Sequence, residues 1–390
     1  MFVRRCAHGA RMSGVLHVIT GLDSGGAQSM LARIVLAEQR SPAARKQVVV
    51  SMMDDGLYGK ALRDAGVEVH CLECRRGTPS LRALWGLVEI VRSLDPDVVM
   101  TWLYHADLAG TLAAVLSRGG ARRVVWNLRC SNMDFARYDR MTRWVVRALA
   151  WGSRFPAIVA ANSLSGRKHH ACLGYRPKRW EYLPNGFDLG ALRPDAGDRA
   201  SVRGEWSIRD EDFAVGMVAR VDPMKDYSTF FGAAEMLLAG GARCNFVLIG
   251  KDTDRLQVPE SIRARTVALG ERSDVNRLLR GLDVMVLASA FGEGFPNVVG
   301  EAMASGVPCV VTDVGDAAEV VGDTGIAVLP GVPEALAGAV RRLMSEPAED
   351  FRDRRRRARE RIAERYSLER VVAGYRAVWH DVAQGRLRRT

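Results

Sequence analysis

The chain has 390 residues, 48% apolar and 26% charged, which suits a soluble globular protein of two domains and excludes a disordered segment or a small binding module. No run approaches the roughly 18 to 20 consecutive apolar residues of a membrane-spanning helix. The formal charge of +11 is uneven: residues 1–190 hold 27 Lys and Arg against 15 Asp and Glu, a balance of +12, and the remainder holds −1. Such asymmetry predicts that the first half meets something anionic, whether a phosphorylated substrate, an acidic lipid surface or nucleic acid. No nucleic-acid-binding motif is recognisable, so nucleic acid is not expected as a partner.

Arg4, Arg5 and Arg11 open the chain without the apolar stretch of a secretory signal, and Met12 offers an alternative start. Seven cysteines, an odd number, predict reduced thiols and a cytoplasmic protein. Cys71 and Cys74 form a lone C-x-x-C and read as incidental thiols.

VLHVIT (15–20) predicts a strand, GLDSGGAQSM a glycine-rich turn, and Met30, Leu31, Ile34 and Val35 a following helix. QVVVSM, VEVHCL, PDVVMTWL, RRVVWNL, PAIVAANS and RWEYLPNGF continue the strands, with helices over DDGLYGKALRDAG, SLRALWGLVEIVRSLD and from about Ser163. Strands alternating with helices predict a parallel sheet covered on both faces. Between about 185 and 200 the periodicity lapses into Pro, Gly, Asn and Asp, which predicts a domain boundary. A second α/β series then follows, with strands FAVGMVARV, NFVLIG, TVALG, VMVLAS, PCVVTD and GIAVLP and helices over YSTFFGAAEMLLAG, DVNRLLRGLD and VPEALAGAVRRLMSE. Two last helices cover RRRRARERIAERY and LERVVAGYRAVWHDVAQ. The predicted fold class is α/β, two doubly wound domains over 1–190 and 191–370, with the site at the carboxyl ends of the strands in the cleft they face.

Residues 289–313 carry most of the chemistry. Glu293 and Glu301 stand eight apart, Gly294 suits an unusual backbone angle, and Pro296 suits a first helical turn. The N–H groups of Phe295, Asn297 and Val298 would then form an anion site for a diphosphate at a helix N-terminus, with the glutamates accepting from sugar and ribose hydroxyls. An ordinary capped helix has the same pattern. Upstream, GMVARVDPMKD (216–226) ends a strand at Arg220 and presents Lys225, two cations that suit a leaving diphosphate. Gly25 and Gly26 would allow close approach of a ligand to the backbone, but their loop reads G-x-x-x-G-G, not the G-x-G-x-x-G of a dinucleotide oxidoreductase. Asp95 and Asp97 spell D-x-D at the end of a strand away from any cleft, and His169 and His170 are adjacent on a helix, so no metal site is expected.

The pieces GLDSGGAQSML, TWLYHADLAGTLAA, LPNGFD, ARVDPMKD and E-x7-E, in this order, resemble a retaining glycosyltransferase of family 4 with the GT-B fold. The resemblance implies that Arg220 and Lys225 hold the diphosphate of a nucleotide sugar, Glu301 the ribose, and Glu293 the donor sugar, with His105 beside that sugar. It also implies a final helix, from about 370, that returns to the first domain. No cofactor is implied; the nucleotide sugar, by family default a UDP sugar, is a co-substrate, and acceptors range over saccharides, lipid-linked saccharides and small molecules. A phosphorylase, an epimerase or a non-catalytic sugar-nucleotide binder shares that fold and site. Finally, ARYDRMTRWVVRALAWGSRF (136–155) places Arg137, Arg140, Arg143 and Arg147 on one helical stripe and Tyr138, Met141, Val145, Ala148 and Leu149 beside it. That pattern suits either an apolar face packed on the sheet with the arginines in solvent, or peripheral contact with an anionic membrane at its inner face.

Overall fold

A computed structural model describes residues 12–23, 25–42, 44–74, 80–117, 120–131 and 140–386. The chain divides into two compact units, one comprising the residues up to Gly186 and those from Leu368, the other Phe187–Ser367. The sequence places the corresponding limits at 190 and about 370.

In the first unit β1 (Gly14–Ile19), α1 (Gly26–Gln39), β2 (Lys46–Ser51), α2 (Gly56–Asp64), β3 (Glu68–Cys71) and α3 (Leu81–Leu94) come first. They are followed by β4 (Val98–Trp102), α4 (Tyr104–Leu116), β5 (Val124–Leu128), α5 (Arg140–Gly152), β6 (Ile158–Ala161), α6 (Leu164–Cys172) and β7 (Trp180–Tyr182). The seven strands lie in the order β3-β2-β1-β4-β5-β6-β7, with parallel pairing throughout. Alternate side chains explain the unbroken apolar runs. Val15 and Ile19 face one layer with Met30 and Ile34 of α1, while Leu16 and Val18 face the other with Leu87 of α3 and Leu149 of α5.

The second unit runs through α7 (Ala196–Glu205), β8 (Phe213–Val218), α8 (Tyr227–Ala239), β9 (Cys244–Ile249), α9 (Glu260–Arg263), β10 (Thr266–Ala268), α10 (Val275–Leu278) and β11 (Val284–Leu287). It continues through α11 (Asn297–Ala304), β12 (Cys309–Thr312), α12 (Ala317–Val321), β13 (Ile326–Val328), α13 (Pro333–Met344) and α14 (Ala348–Tyr366). Its six strands lie in the order β10-β9-β8-β11-β12-β13, again parallel. The last helix, α15 (Leu368–Ala383), returns to the first unit and buries Val371, Tyr375, Val378 and Trp379 against β1 and β4.

Besides the short α9 and α12, two longer helices arise where sequence periodicity is silent. α4 is apolar on nearly every side and shows no clear 3.6-residue stripe, and α7 begins inside the lapse near 195, where the Asp195 carboxylate accepts from the Asp198 amide as an N-cap. α5 forms as expected but with its packing face turned: Thr142, Val145, Val146 and Leu149 are buried, whereas Met141 and Ala148 are exposed with the arginines. Arg137 and Tyr138 lie outside the described residues. Asp95, in the α3–β4 turn at the amino edge of the sheet, pairs with Arg123 at 2.5 Å. His170 is buried, bonded to the Tyr104 hydroxyl at 2.7 Å, and its ring stands at 88° to that of His169.

Asp107 of α4 is fully buried and accepts from the Thr101 hydroxyl at 2.5 Å, while its Oδ2 has no partner. Burial pushes its carboxyl up to about 8, against the opposing bond from Thr101. The folded carboxyl thus keeps its proton up to about pH 8 while the unfolded one loses it near 4, so this group's stabilising contribution is complete below the lower value and is lost as pH rises to the higher. Asp107→Asn, with a neutral amide of the same shape, should gain stability over wild type between about pH 5 and about pH 8, by at most roughly 1.4 kcal/mol per unit. Urea unfolding at both ends of that range checks it, and parallel pH profiles for the two proteins would refute the buried-acid account.

Candidate active site

In each sheet the strand order reverses once, between β1 and β4 in the first and between β8 and β11 in the second. At such a reversal the connections leave to opposite faces, opening a crevice beyond the carboxyl ends of the two strands. The loops after β8 and β11 contain Arg220, Lys225 and Glu293; after β1 come Gly25 and, opening α1, Gly26, and after β4 comes His105 in the first turn of α4.

In the second unit the β8 loop is built on Asp222. Its carboxylate accepts from the Met224 amide at 2.9 Å, capping the short turn Pro223–Lys225, and pairs with Arg220 at 3.1 Å. Partial burial raises the Asp222 carboxyl, but the amide and the guanidinium outweigh it and hold the group below the usual carboxylate range. Lys225 is turned inward with 13% of its side chain exposed, and its Nζ donates to Glu293 Oε1, which also accepts from the Ser289 hydroxyl at 2.6 Å. A further bond joins the two loops, from the Ala290 amide to the Met224 carbonyl at 2.9 Å. The left-handed residue is Gly292, at φ +78°, where an added Cβ would lie 2.6 Å from Met224 Sδ. The sequence assigns that role to Gly294, which has no positive φ and instead accepts from the Asp316 amide at 2.9 Å.

Pro296 is the residue before α11 and not its first turn; Asn297 and Val298 begin the helix, whose start has no side-chain cap and no acidic residue in its first turn. Phe295 points away from that start, packed edge-on against Tyr366 with ring centres 5.2 Å apart. Glu301 lies just over one turn into α11 and is partly exposed. The loops after β8 and β11 therefore bring Arg220, Lys225, Glu293 and the start of α11 to one crevice. Each cation has a carboxylate beside it, Asp222 for Arg220, which lies at the surface with 60% of its side chain exposed, and Glu293 for Lys225, which lies inside.

In the first unit Gly25 caps α1 in an extended conformation, and a Cβ there would meet only the movable Gln28 side chain. Gly26 is the first residue of α1, which likewise starts without a side-chain cap. His105 is the second residue of α4, after Leu103, which has φ +74° and ψ 152°, a conformation that is rarely adopted by any residue but glycine and costs of order 1–3 kcal/mol. Sequence reasoning missed Ser289 and Asp222. Asp222-Pro223 carried a readable signal, a capping residue before a proline, whereas nothing local pairs Ser289 with Glu293.

Comparison with known proteins follows the same division. Residues 15–186 match the family described as glycosyl transferase 4-like domain, and residues 212–346 match glycosyl transferases group 1. The putative glycosyltransferase EpsF of Bacillus subtilis is 25% identical over 307 residues, 77% of this chain and 79% of that one. An Escherichia coli enzyme named UDP-Gal:alpha-D-GlcNAc-diphosphoundecaprenol alpha-1,3-galactosyltransferase is 29% identical over 248 residues, 60% of this chain and 62% of that one. Among solved structures, Anabaena Alr3699/HepE in complex with UDP superposes with a TM-score of 0.80 at 21% identity, covering 94% of this chain and all of that one. With one glycosyltransferase domain matched in each unit and the two-sheet architecture shared with such enzymes, the chain belongs to the family-4 glycosyltransferases of the GT-B fold and is an enzyme of the hexosyltransferase type.

Proposed function

We propose that this enzyme moves a hexose or amino sugar from a UDP sugar to an acceptor hydroxyl in polysaccharide or glycolipid assembly, retaining the anomeric configuration and using no metal. One observation supports it most: Arg220, Lys225 and the uncapped start of α11 gather at the switch point of the second sheet, three positive features suited to a diphosphate. The names of the relatives, with UDP-Gal as donor and a lipid diphosphate carrying the acceptor sugar, support the same reading.

Donor binding would exchange one anion for another at Lys225. The ammonium passes from Glu293 to the diphosphate, and the Glu293 oxygens become free for hydroxyls of the donor sugar. As the bond from C1 to the leaving phosphate oxygen breaks, Lys225, Arg220 and the α11 amides take up the developing charge. The acceptor oxygen attacks C1 from the same face and its proton goes to that leaving oxygen, so no side chain serves as a nucleophile. Glu301 accepts from the ribose hydroxyls, and His105 contacts the transferred sugar. Since protein groups neutralise the diphosphate, a chelator should leave the rate unchanged.

Arg220→Ala and Lys225→Ala should each lower turnover at saturating donor on the order of 10²-fold. Only Lys225→Ala should also destabilise the ligand-free protein, by about 1–3 kcal/mol, because it strands a carboxylate whose side chain is 9% exposed, whereas Arg220 is a surface pair. Near-normal turnover in both variants would remove the diphosphate site. Glu301→Gln should weaken binding of UDP itself and Glu293→Gln should not. Equal losses of UDP affinity by calorimetry would refute that division.

The same reading places the enzyme in the cytoplasm, at an anionic membrane that supplies a lipid-linked acceptor. Among the described residues no helix is long and apolar enough to cross a membrane. Instead, α4 packs between α3 and α5, and their outer faces expose Leu81, Trp85, Leu112, Val115, Leu116, Met141, Trp144 and Trp151, continued by Phe155. Exposed Arg82, Arg140, Arg143, Arg147 and Arg154 lie among them, Arg147 and Arg154 over the rings of Trp144 and Trp151. Tryptophan and arginine interleaved on one face suit the boundary between headgroups and acyl chains, at roughly 1 kcal/mol per cation near an anionic surface. The protein should sediment with phosphatidylglycerol vesicles at low salt and not with phosphatidylcholine vesicles, and Trp144→Glu with Trp151→Glu should release it. Failure to bind at low salt would favour a soluble acceptor.

A further inference from the structure

We propose that Arg129, in the first unit, is the centre of an oxyanion subsite that binds the phosphate or diphosphate of the acceptor substrate. Arg129 is the first residue beyond β5, at the carboxyl edge of the sheet, one strand from the β1–β4 reversal. Its Nη1 donates to the Tyr375 hydroxyl at 3.2 Å, its Nη2 to Asn185 Oδ1, and its guanidinium lies over the Trp102 ring at 5.2 Å. Each of these neighbours is itself buried and neutral. Nε is shielded from solvent and has no partner.

A guanidinium in such a setting should have a carboxylate. Arg203, the most buried arginine of the second unit, has one: Asp283 at 3.1 Å. Arg129 has none among the described residues, and taking a cation out of water costs several kcal/mol that neutral partners only partly offset. Burial accordingly depresses its basicity. The neighbours fix the fork in place: Tyr375 also accepts from Asn127 at 3.0 Å and stacks on Trp102 at 6.0 Å, with ring planes 6° apart. A second guanidinium, Arg33 of α1, reaches the Gly186 carbonyl at 3.5 Å, next to the Asn185 that Arg129 holds. Two arginines thus bracket Asn185–Gly186, one of them fixed, partly buried and without a carboxylate among the described residues, a setting that an anion would complete. A planar fork selects a phosphate or diphosphate oxyanion. The donor diphosphate is already assigned to the second unit, which leaves the acceptor; this step rests on the glycosyltransferase reading above.

The test uses the full chain with UDP at saturation, so that the nucleotide site is filled. A short-chain prenyl diphosphate and inorganic diphosphate are titrated by calorimetry, with thermal unfolding of every variant as a control for folding. Both should bind wild type at one shared site. Arg129→Gln should weaken both on the order of 10- to 100-fold. Arg129→Lys, which keeps a charge without the fork, should fall between, and it stands in if the glutamine variant does not fold. Arg220→Ala should leave this binding unchanged. Unaltered affinity in Arg129→Gln, or loss in Arg220→Ala, would overturn the assignment. So would binding of inorganic diphosphate without the ester, which would mean a site for the free anion. Because diphosphate binding is read without turnover, a failure of the glycosyl-transfer reading would appear separately, as absence of UDP binding.

Discussion

Parallel strands cannot be joined by tight turns; each must be followed by a crossover on one face of the sheet, and crossovers are almost always right-handed. A chain that lays β1, β2 and β3 outward in one direction must therefore return to the far side of β1 to lay β4, and its helices then change face. The second unit repeats this with β8, β9 and β10, then β11. That constraint fixes where a ligand can reach backbone and side chains together, before any particular residue is chosen. Arg220, Lys225, Glu293, Gly25 and His105 are scattered in sequence, yet each follows a strand that borders a reversal.

The two edges of the second sheet treat charge differently. At the amino edge Asp283 is saturated: it accepts from Arg199, from Arg203 and from the Ala214 amide at 2.8 Å, and this polar knot ties α7 to the start of β8 and β11. Removing any member leaves a buried charge, so the role is structural. At the carboxyl edge the pairs are thinner. Lys225 has Glu293 and Arg220 has Asp222, one carboxylate for each cation, which the proposed donor diphosphate would replace.

Much of this was legible in the sequence because both faces of each sheet are covered, so strands appear as unbroken apolar runs: QVVVSM and PCVVTD could be nothing else at their length. The helix after Glu293 was legible from the Gly-Pro turn before it, although the residue roles within that turn differ, with Gly292 left-handed and Pro296 one position before the helix. What failed did so for physical reasons. α4 lacks a stripe because it packs on the sheet, on α3 and on α5 at once, and α7 is largely polar with a buried arginine as its anchor. The rotation of α5 could not be seen because Met141 and Val145 are equally apolar; only contact with the sheet distinguishes them. Nothing local distinguishes Gly292 from Gly294, because the close approach that requires glycine at 292 comes from Met224, 68 residues upstream.

Arg129 belongs with that last group and shows what a sequence can withhold. An arginine after a strand is unremarkable in a chain with 56 Lys and Arg. Its meaning comes from Tyr375, 246 positions away, and from Asn185, 56 away, which occupy the guanidinium with neutral oxygen instead of carboxylate. α15 is thus more than a strap that closes the core of the first unit: by supplying Tyr375 it sets the angle of the fork. The strained backbone at Leu103 lies at the end of the neighbouring strand β4, whose last residue, Trp102, forms the face on which the fork rests. Strain and an unbalanced cation on adjacent strand ends oppose folding locally, while the Trp102–Tyr375 stack between them favours it. They are sustained by the packed layers beneath, at the carboxyl edge to which the proposed acceptor site is assigned.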